Sequence, residues 1–263
     1  MSESPLAKKS LGQHWLSDPA SLQAMCDAAD IDKEDVVLEI GPGLGTLTEL
    51  LVKQAKQVIA VEFDSILAAN LPHRVPAANL QVVSQDIMAF DFSDLPPDYK
   101  IVANIPYYLT SNLIRMISEA QNRPKTAALL VQKEVAERVA AKPGAMSLLS
   151  ITAQFYWQAS LGQIVPAKLF TPSPKVDSQI LILRRLDKTV FPDVKPQDFF
   201  RLTKAGFSQR RKTLLNSLSG GLNVSRDEAK ALCERAFIDC ALRPQTLSLE
   251  EWRQLYLAQT FNA

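Results

Sequence analysis

Short apolar runs alternate along the first half of the chain with stretches whose apolar positions recur at helical spacing. The spacing predicts a helix over 18–30 (DPASLQAMCDAAD), with Asp18 as N-cap and Pro19 at the first helical position. A buried strand at 35–40 follows in DVVLEIGPG and runs into a glycine turn. TLTELLVKQA (46–55) reads as a helix, QVIAVEF (57–63) as a strand, then a short helix to about Leu71. LQVVSQD (80–86) is a third strand, and YKIVANIPYY (99–108) holds a fourth. A helix is expected over 110–119, and TAALLVQKEVAERVAA (126–141) reads as a strand running into a helix. Strand–helix alternation of this length implies right-handed βαβ units and a parallel sheet.

Beyond 146 the pattern is less regular. SLLSITAQFYW and SQILILRRL read as further strands, separated by the proline-rich LFTPSPKVDS, and complete the sheet with an antiparallel edge. KTVFPDVKPQ reads as a linker, and helices are expected near 197–218, 225–237 and 248–260. The expected organisation is an α/β domain over 1–187 and a small all-α domain over 188–263.

Charge sharpens this division. The chain of 263 residues carries a net charge of +1. Residues 1–187 hold 17 basic and 20 acidic groups, whereas residues 188–263 hold 12 basic and 8 acidic. A basic module on a mildly acidic body suits a polyanionic partner. The three cysteines, Cys26, Cys233 and Cys240, are scattered, so neither a zinc site nor a disulfide is expected. No run approaches the roughly 20 apolar residues of a membrane span, and the N-terminus lacks the apolar core of a secretory signal. A cytoplasmic setting without a membrane partner is expected.

Four consecutive strands carry polar groups where open α/β sheets bind ligands, at the carboxyl ends. LEIGPGLGTLT places glycines at 41, 43 and 45, which allow a tight turn and close backbone approach. Glu62 ends the next strand, 21 residues past Gly41, where an acid can accept hydrogen bonds from two ribose hydroxyls. Asp86 ends the third strand and Asn104 the fourth. Alone, a glycine turn is often only a tight loop and a strand-end acid only a helix cap. Four in register point to a ligand site. After Asn104, Pro106 removes a backbone donor and belongs at a strand end.

In order and spacing, EIGPGLGTLT, VEFD, SQDIMAFDF and NIPYYLTS resemble the motifs of the ribosomal RNA adenine N6-dimethyltransferases. KKSLGQHWL and FTPSPKVDS resemble that family's N-terminal and later proline-rich motifs. The resemblance runs from about Lys8 to past Arg243, and is nearest to the small-subunit branch. It implies a Rossmann-like class I methyltransferase sheet and S-adenosyl-L-methionine as cofactor. By position it implies that His14 and Leu16 contact the cofactor, Gly41 approaches its methionine part with Gly43 in the same turn, Glu62 holds the ribose and Asp86 the adenine amine. Asn104 would lie between cofactor and target. The family usually has GQNFL, so His14 replaces an asparagine amide.

The implied reaction is dimethylation of two adjacent adenines near the 3′ end of small-subunit rRNA, within the immature small ribosomal subunit, by a monomer. Asn104 and the backbone carbonyl of Ile105 or Pro106 are expected to accept the N6 protons. A target base must leave its stack, and Tyr107 is the first choice to stack on it, with Phe170 second on resemblance. Tyr108 is expected to pack inward. RLTKAGFSQRRKTLLNSL (201–218) carries Arg201, Lys204, Arg210, Arg211 and Lys212 and no acid, which on a helix makes a phosphate-binding face. Lys8 and Lys9 would add to it. The alternatives are a resistance-type large-subunit methyltransferase, a non-catalytic RNA-binding assembly or transcription factor on the same fold, and a nicotinamide-dependent dehydrogenase. Thr46, where a dinucleotide fingerprint wants glycine or alanine, disfavours the last.

Overall fold

The computed structural model describes residues 12–188, 190–209 and 211–260; Lys8, Lys9 and Arg210 lie outside them. The chain opens with β1 (Trp15–Leu16), α1 (Pro19–Ala29), β2 (Val36–Ile40), α2 (Thr48–Gln54), β3 (Gln57–Glu62), α3 (Ser65–Arg74) and β4 (Leu80–Ser84). It continues through β5 (Lys100–Asn104), α4 (Thr110–Glu119), β6 (Thr126–Gln132), α5 (Lys133–Val139), α6 (Leu148–Tyr156) and β7 (Trp157–Val165). β8 (Phe170–Thr171), β9 (Ser178–Arg185), α7 (Pro196–Gly206), α8 (Leu214–Leu222), α9 (Arg226–Arg235) and α10 (Leu249–Thr260) complete it. One compact unit comprises the chain up to Glu137 together with Trp157–Arg185; the other comprises Arg138–Tyr156 and the chain from Leu186 on.

The first unit is built on a seven-stranded sheet of order β4-β3-β2-β5-β6-β9-β7. From β4 to β6 all neighbours are parallel, while β9 runs antiparallel to β6 and β7 to β9. The expected βαβ units are present, and α1 starts as expected, with Asp18 Oδ2 accepting from Ser21 N at 2.8 Å. From β2 the chain moves outward to β3 and β4, then returns to place β5 on the other side of β2. The connections leaving β2 and β5 therefore diverge, which opens a crevice at their carboxyl ends.

The amino ends are tied by a buried charge. Lys100, at the start of β5 and 3% exposed, meets Asp35 Oδ2 at 2.6 Å, just ahead of β2. The same ammonium donates to the carbonyl of Asp30, the left-handed residue that ends α1. One cation thus joins two strands and a helix.

The strand expected over SLLSITAQFYW is a correction. Leu148–Tyr156 is the helix α6, and the strand begins only at Trp157. Ser147 caps α6 by accepting from Ser150 N at 3.2 Å. Ile151 and Phe155, one helical turn apart, are buried, and the Phe155 ring meets Phe191, Phe199 and Phe200 at 5.1–6.2 Å. Those aromatic contacts group residues 138–156 with the C-terminal segment, so the second unit is not confined to 188–263 as expected.

The helix expected over 197–218 is likewise two helices, α7 and α8. A Cβ on Gly221 would lie 2.4 Å from the Ala205 carbonyl oxygen, so α8 doubles back across α7 at a point where only glycine fits. The described residues between them, 207–209 and 211–213, belong to neither helix. Among the described residues no helix is long and apolar enough to cross a membrane.

Removing one partner of a buried ion pair leaves the other charge without compensation. Asp35→Ala is therefore expected to lower the unfolding free energy by about 3 kcal/mol in urea denaturation, and Asp35→Ala with Lys100→Met to recover most of that loss.

Candidate active site

The crevice holds a cavity of about 180 Å³, lined by the chain from Gly12 to Leu16, the glycine turn and the carboxyl ends of β2, β3, β4 and β5. His14, Leu16, Gly41, Gly43, Glu62, Asp86, Asn104 and Pro106 all line it. The four strand ends thus meet at one place.

The glycine turn is shaped by a carboxylate. Gly43, at φ 56°, donates its N–H to Glu62 Oε2 at 3.1 Å, and Glu62 Oε1 accepts from Asp64 N at 2.8 Å. A Cβ at Gly43 would lie 3.4 Å from Trp15 Nε1. Burial raises the Glu62 carboxyl above the usual range, while the N–H groups of Asp64 and Gly43 pull it back. Each carboxyl oxygen spends one lone pair on the backbone and keeps another for a ligand. Asp86 combines two tasks: its Oδ1 caps the turn at 87–89 by accepting from Met88 N at 2.9 Å, and its exposed side chain borders the cavity.

Asn104 ends β5 and donates from Nδ2 to the carbonyl of His14 at 3.1 Å. That bond settles which way the amide faces, leaving Oδ1 as its unused acceptor. The Pro106 carbonyl accepts from Leu109 N at 3.0 Å, so of the two backbone carbonyls considered, that of Ile105 is the better placed to receive a ligand proton. His14 Nδ1 lies 2.7 Å from the Pro172 carbonyl, and its ring stacks on Tyr107, with centroids 5.8 Å apart. The segment ahead of α1 is thereby pinned twice, since β1 also pairs with β8 through Trp15–Thr171 and Leu16–Phe170.

Of the three aromatic expectations, those for Tyr108 and Phe170 change. Tyr108 does not pack inward: it is 61% exposed and lines the cavity mouth near Gly12. Tyr107 is half-buried, with its hydroxyl held 2.8 Å from Ser178 Oγ and one face against His14. Phe170 is 3% exposed and packed with Leu16 and Val165, so its ring offers no face to a base; the β1–β8 pairing draws it inward. The basic stretch also differs. Lys204 is exposed on α7, and Arg201 pairs with Asp198 at 3.4 Å. Arg211 and Lys212 are exposed in the turn before α8, not on a helix.

Two groups escaped the sequence reading. Glu39, the one acid inside the apolar run VVLEI, is buried with Oε2 unpartnered, and burial pushes its carboxyl up to about 8. Trp15 Nε1 is also buried without a partner. Both line the cavity. An acid placed where the apolar pattern demands a core residue was the available signal for Glu39.

A family model described as ribosomal RNA adenine dimethylase matches residues 5–259. The chain is 44% identical over 260 residues to ribosomal RNA small subunit methyltransferase A of Dehalococcoides mccartyi, covering 97% of this chain and 89% of that protein. It is 38% identical to the Clostridium botulinum protein of the same name, covering 94% and 92%. Among solved structures, a dimethyladenosine transferase from Plasmodium falciparum superposes with a TM-score of 0.78 at 29% identity, covering 95% of this chain and 98% of that one. The 23S rRNA methyltransferase ErmE superposes at 0.76 with 26% identity, covering 93% and 98%.

Glu39 supplies a pH test. From about pH 4.5 to 8 the folded chain keeps a proton there that the unfolded chain has lost, so stability falls as pH rises through that window. Glu39→Gln is expected to raise the melting temperature at pH 8 relative to the parent, and to match the parent near pH 4.5, in thermal unfolding without ligand.

Proposed function

Because the chain belongs to the ribosomal RNA adenine dimethylase family, whose methyl donor is S-adenosyl-L-methionine, we propose that it dimethylates two adjacent adenines near the 3′ end of small-subunit rRNA. We propose further that its substrate is the immature small ribosomal subunit, in the cytoplasm, during ribosome biogenesis. The observation that carries the small-subunit assignment is the higher identity to small-subunit enzymes than to ErmE. Action as a monomer is part of the same proposal.

The residues present suit the cofactor. Glu39 Oε2 and Trp15 Nε1 are a buried carboxyl oxygen and a buried donor without partners, and an amino-acid group carrying an ammonium and a carboxylate can satisfy both. Gly41, at φ 67° with no atom within 4 Å of its would-be Cβ, lets the backbone come close to that group. Glu62 keeps acceptor capacity for a ribose diol, and Asp86 for an adenine amine. His14 and Leu16 close the same wall.

When bound, the cofactor supplies an electrophilic methyl on a sulfonium, so the chain's main task is alignment. An adenine N6 amine is a poor nucleophile because its lone pair is delocalised into the ring. Asn104 Oδ1 and the Ile105 carbonyl would accept hydrogen bonds from its N–H groups and favour a tetrahedral nitrogen with an available lone pair; in each transfer the methyl leaves sulfur for nitrogen, and the amine gives up one proton to water. An amide does this without adding a charge that would compete for the sulfonium. Pro106 stiffens the turn that carries them. An extruded base loses stacking worth a few kcal/mol. An aromatic face restores about 1–3 kcal/mol of it, a role for Tyr107 with exposed Tyr108 beside it. Lys204, Arg211 and Lys212 are exposed cations able to take phosphates; Arg201 and Arg210 are assigned to the same surface from the sequence.

The direct test is transfer of labelled methyl groups to under-methylated small subunits, followed by mapping of the modified adenines. Incorporation at two adjacent positions is expected, and none would sink the reading. Asn104→Ala is expected to abolish turnover by at least about 100-fold while cofactor binding in calorimetry survives. Neutralising Arg211 and Lys212 together is expected to weaken RNA binding and lower the slope of log K against log salt by about 2.

A further inference from the structure

Four described non-glycine residues have left-handed backbone: Asp30, Asp98, Asn223 and Phe237. The first three are of the types that tolerate that region, because a short polar side chain hydrogen-bonds locally. Phe237, at φ 56°, is the exception, and a bulky residue there is a genuine outlier. It is also 96% exposed, the largest exposure among the large apolar side chains of the described chain. Backbone and side chain are therefore both placed at a cost.

The surroundings explain how this is held. Phe237 N–H donates to the Glu234 carbonyl at 3.1 Å and Ile238 N–H to the Cys233 carbonyl at 2.9 Å. These two bonds make the Schellman ending of α9, a motif that normally places glycine at the left-handed position. Ile238 and Cys233 are buried beneath it, so the anchor lies on either side of the ring and the ring itself points away from the fold. The chain after it turns back onto α8: Leu214 N donates to the Leu242 carbonyl at 2.7 Å and Leu215 N to that of Cys240 at 3.1 Å. This fixes Cys240 and Leu242, in the segment that follows Phe237, against the first turn of α8, which comes just after Arg211 and Lys212. Arg211, Lys212 and Arg243 are exposed and form no ion pair among the described residues. The acid of the segment, Asp239, has its Oδ1 taken by Ala241 N at 2.8 Å.

We propose that Phe237 is an RNA contact: its ring stacks on an unpaired base of the small-subunit rRNA, beside phosphates held by Arg211, Lys212 and Arg243. The inference rests on the rRNA substrate proposed above and adds a second base-reading point, on the C-terminal unit. An exposed aromatic ring on a segment hydrogen-bonded next to exposed cations is the combination that single-stranded RNA rewards, since bases stack on rings while the backbone meets the charges. A protein partner would be favoured instead by a broader apolar patch. Here Ile238 is buried, the next exposed large apolar neighbour along the segment, Leu242, is 37% exposed, and the remainder is charged or small.

Phe237→Gly separates function from folding, because glycine relieves the left-handed backbone. Its melting temperature is expected to rise by a few degrees, while affinity for protein-free small-subunit rRNA falls at least about five-fold, with an unchanged salt slope because no phosphate contact is lost. Phe237→Trp, which keeps a ring, is expected to bind like the parent. Undiminished binding by Phe237→Gly overturns the proposal. So does a fall in melting temperature, which would make the ring a packing element. Weakening seen only with whole subunits would reassign Phe237 to a ribosomal protein and also overturn it. If the parent chain bound no small-subunit rRNA, the substrate reading itself would fall, a result distinguishable from all of these.

Discussion

Parallel strands cannot be joined by a tight turn; each needs a crossover that carries the chain back to the start of the sheet. Most of what the N-terminal unit does follows from that constraint. It sends β2, β3, β4, β5 and β6 in one direction, so their carboxyl ends share one edge. Placing β5 beside β2 rather than beside β4 then parts the connections above that edge. Gly41, Glu62, Asp86 and Asn104 are far apart in the chain, yet they line one cavity because each follows or ends a strand. At the opposite edge the same geometry gathers the strand starts, where Lys100 and Asp35 tie β5 to β2.

The cavity is acidic in a controlled way. Glu39 and Glu62 are both buried; burial raises both carboxyls, and the Glu62 charge makes Glu39 harder still to ionise. The difference between them is hydrogen bonding. Glu62 receives two backbone N–H groups, whereas Glu39 has an oxygen without a partner. Glu62 is thereby a fixed wall of the glycine turn, and Glu39 is a group whose charge state answers to what enters the cavity. A cation beside Glu39 would offset the cost that keeps its proton on.

Much of this was legible in the sequence. Runs such as VVLEI and QVIAVE are long, apolar and bounded by turn residues, so strand identity followed directly. Asp18 ahead of Pro19 announced a helix start with its cap. What could not be read was decided by neighbours distant in the chain. SLLSITAQFY has apolar residues compatible with either period, and it is a helix because Phe155 meets the rings of Phe191, Phe199 and Phe200. The basic stretch breaks because Gly221 must reach Ala205. Tyr107 and Tyr108 are indistinguishable as letters; the Ser178 hydroxyl and the His14 ring draw one inward and leave the other at the mouth. Phe170 was named on resemblance, but the ladder to Leu16 claims it for the interior.

That ladder, β1 with β8, is only two residue pairs long. Cooperative protection grows with the number of contacts that must break together, and a piece this short belongs to the low end of the local stability range. Yet it carries Trp15 and Leu16, which form a wall of the cavity, and the His14 bond to Pro172 beside it. That wall is hydrogen-bonded to β8 and not to the seven-stranded sheet, and Leu16 and Phe170 anchor it in the core beneath. The cavity therefore has one side made by the sheet and another held by side-chain packing, and a substitution that loosens the second need not disturb the first.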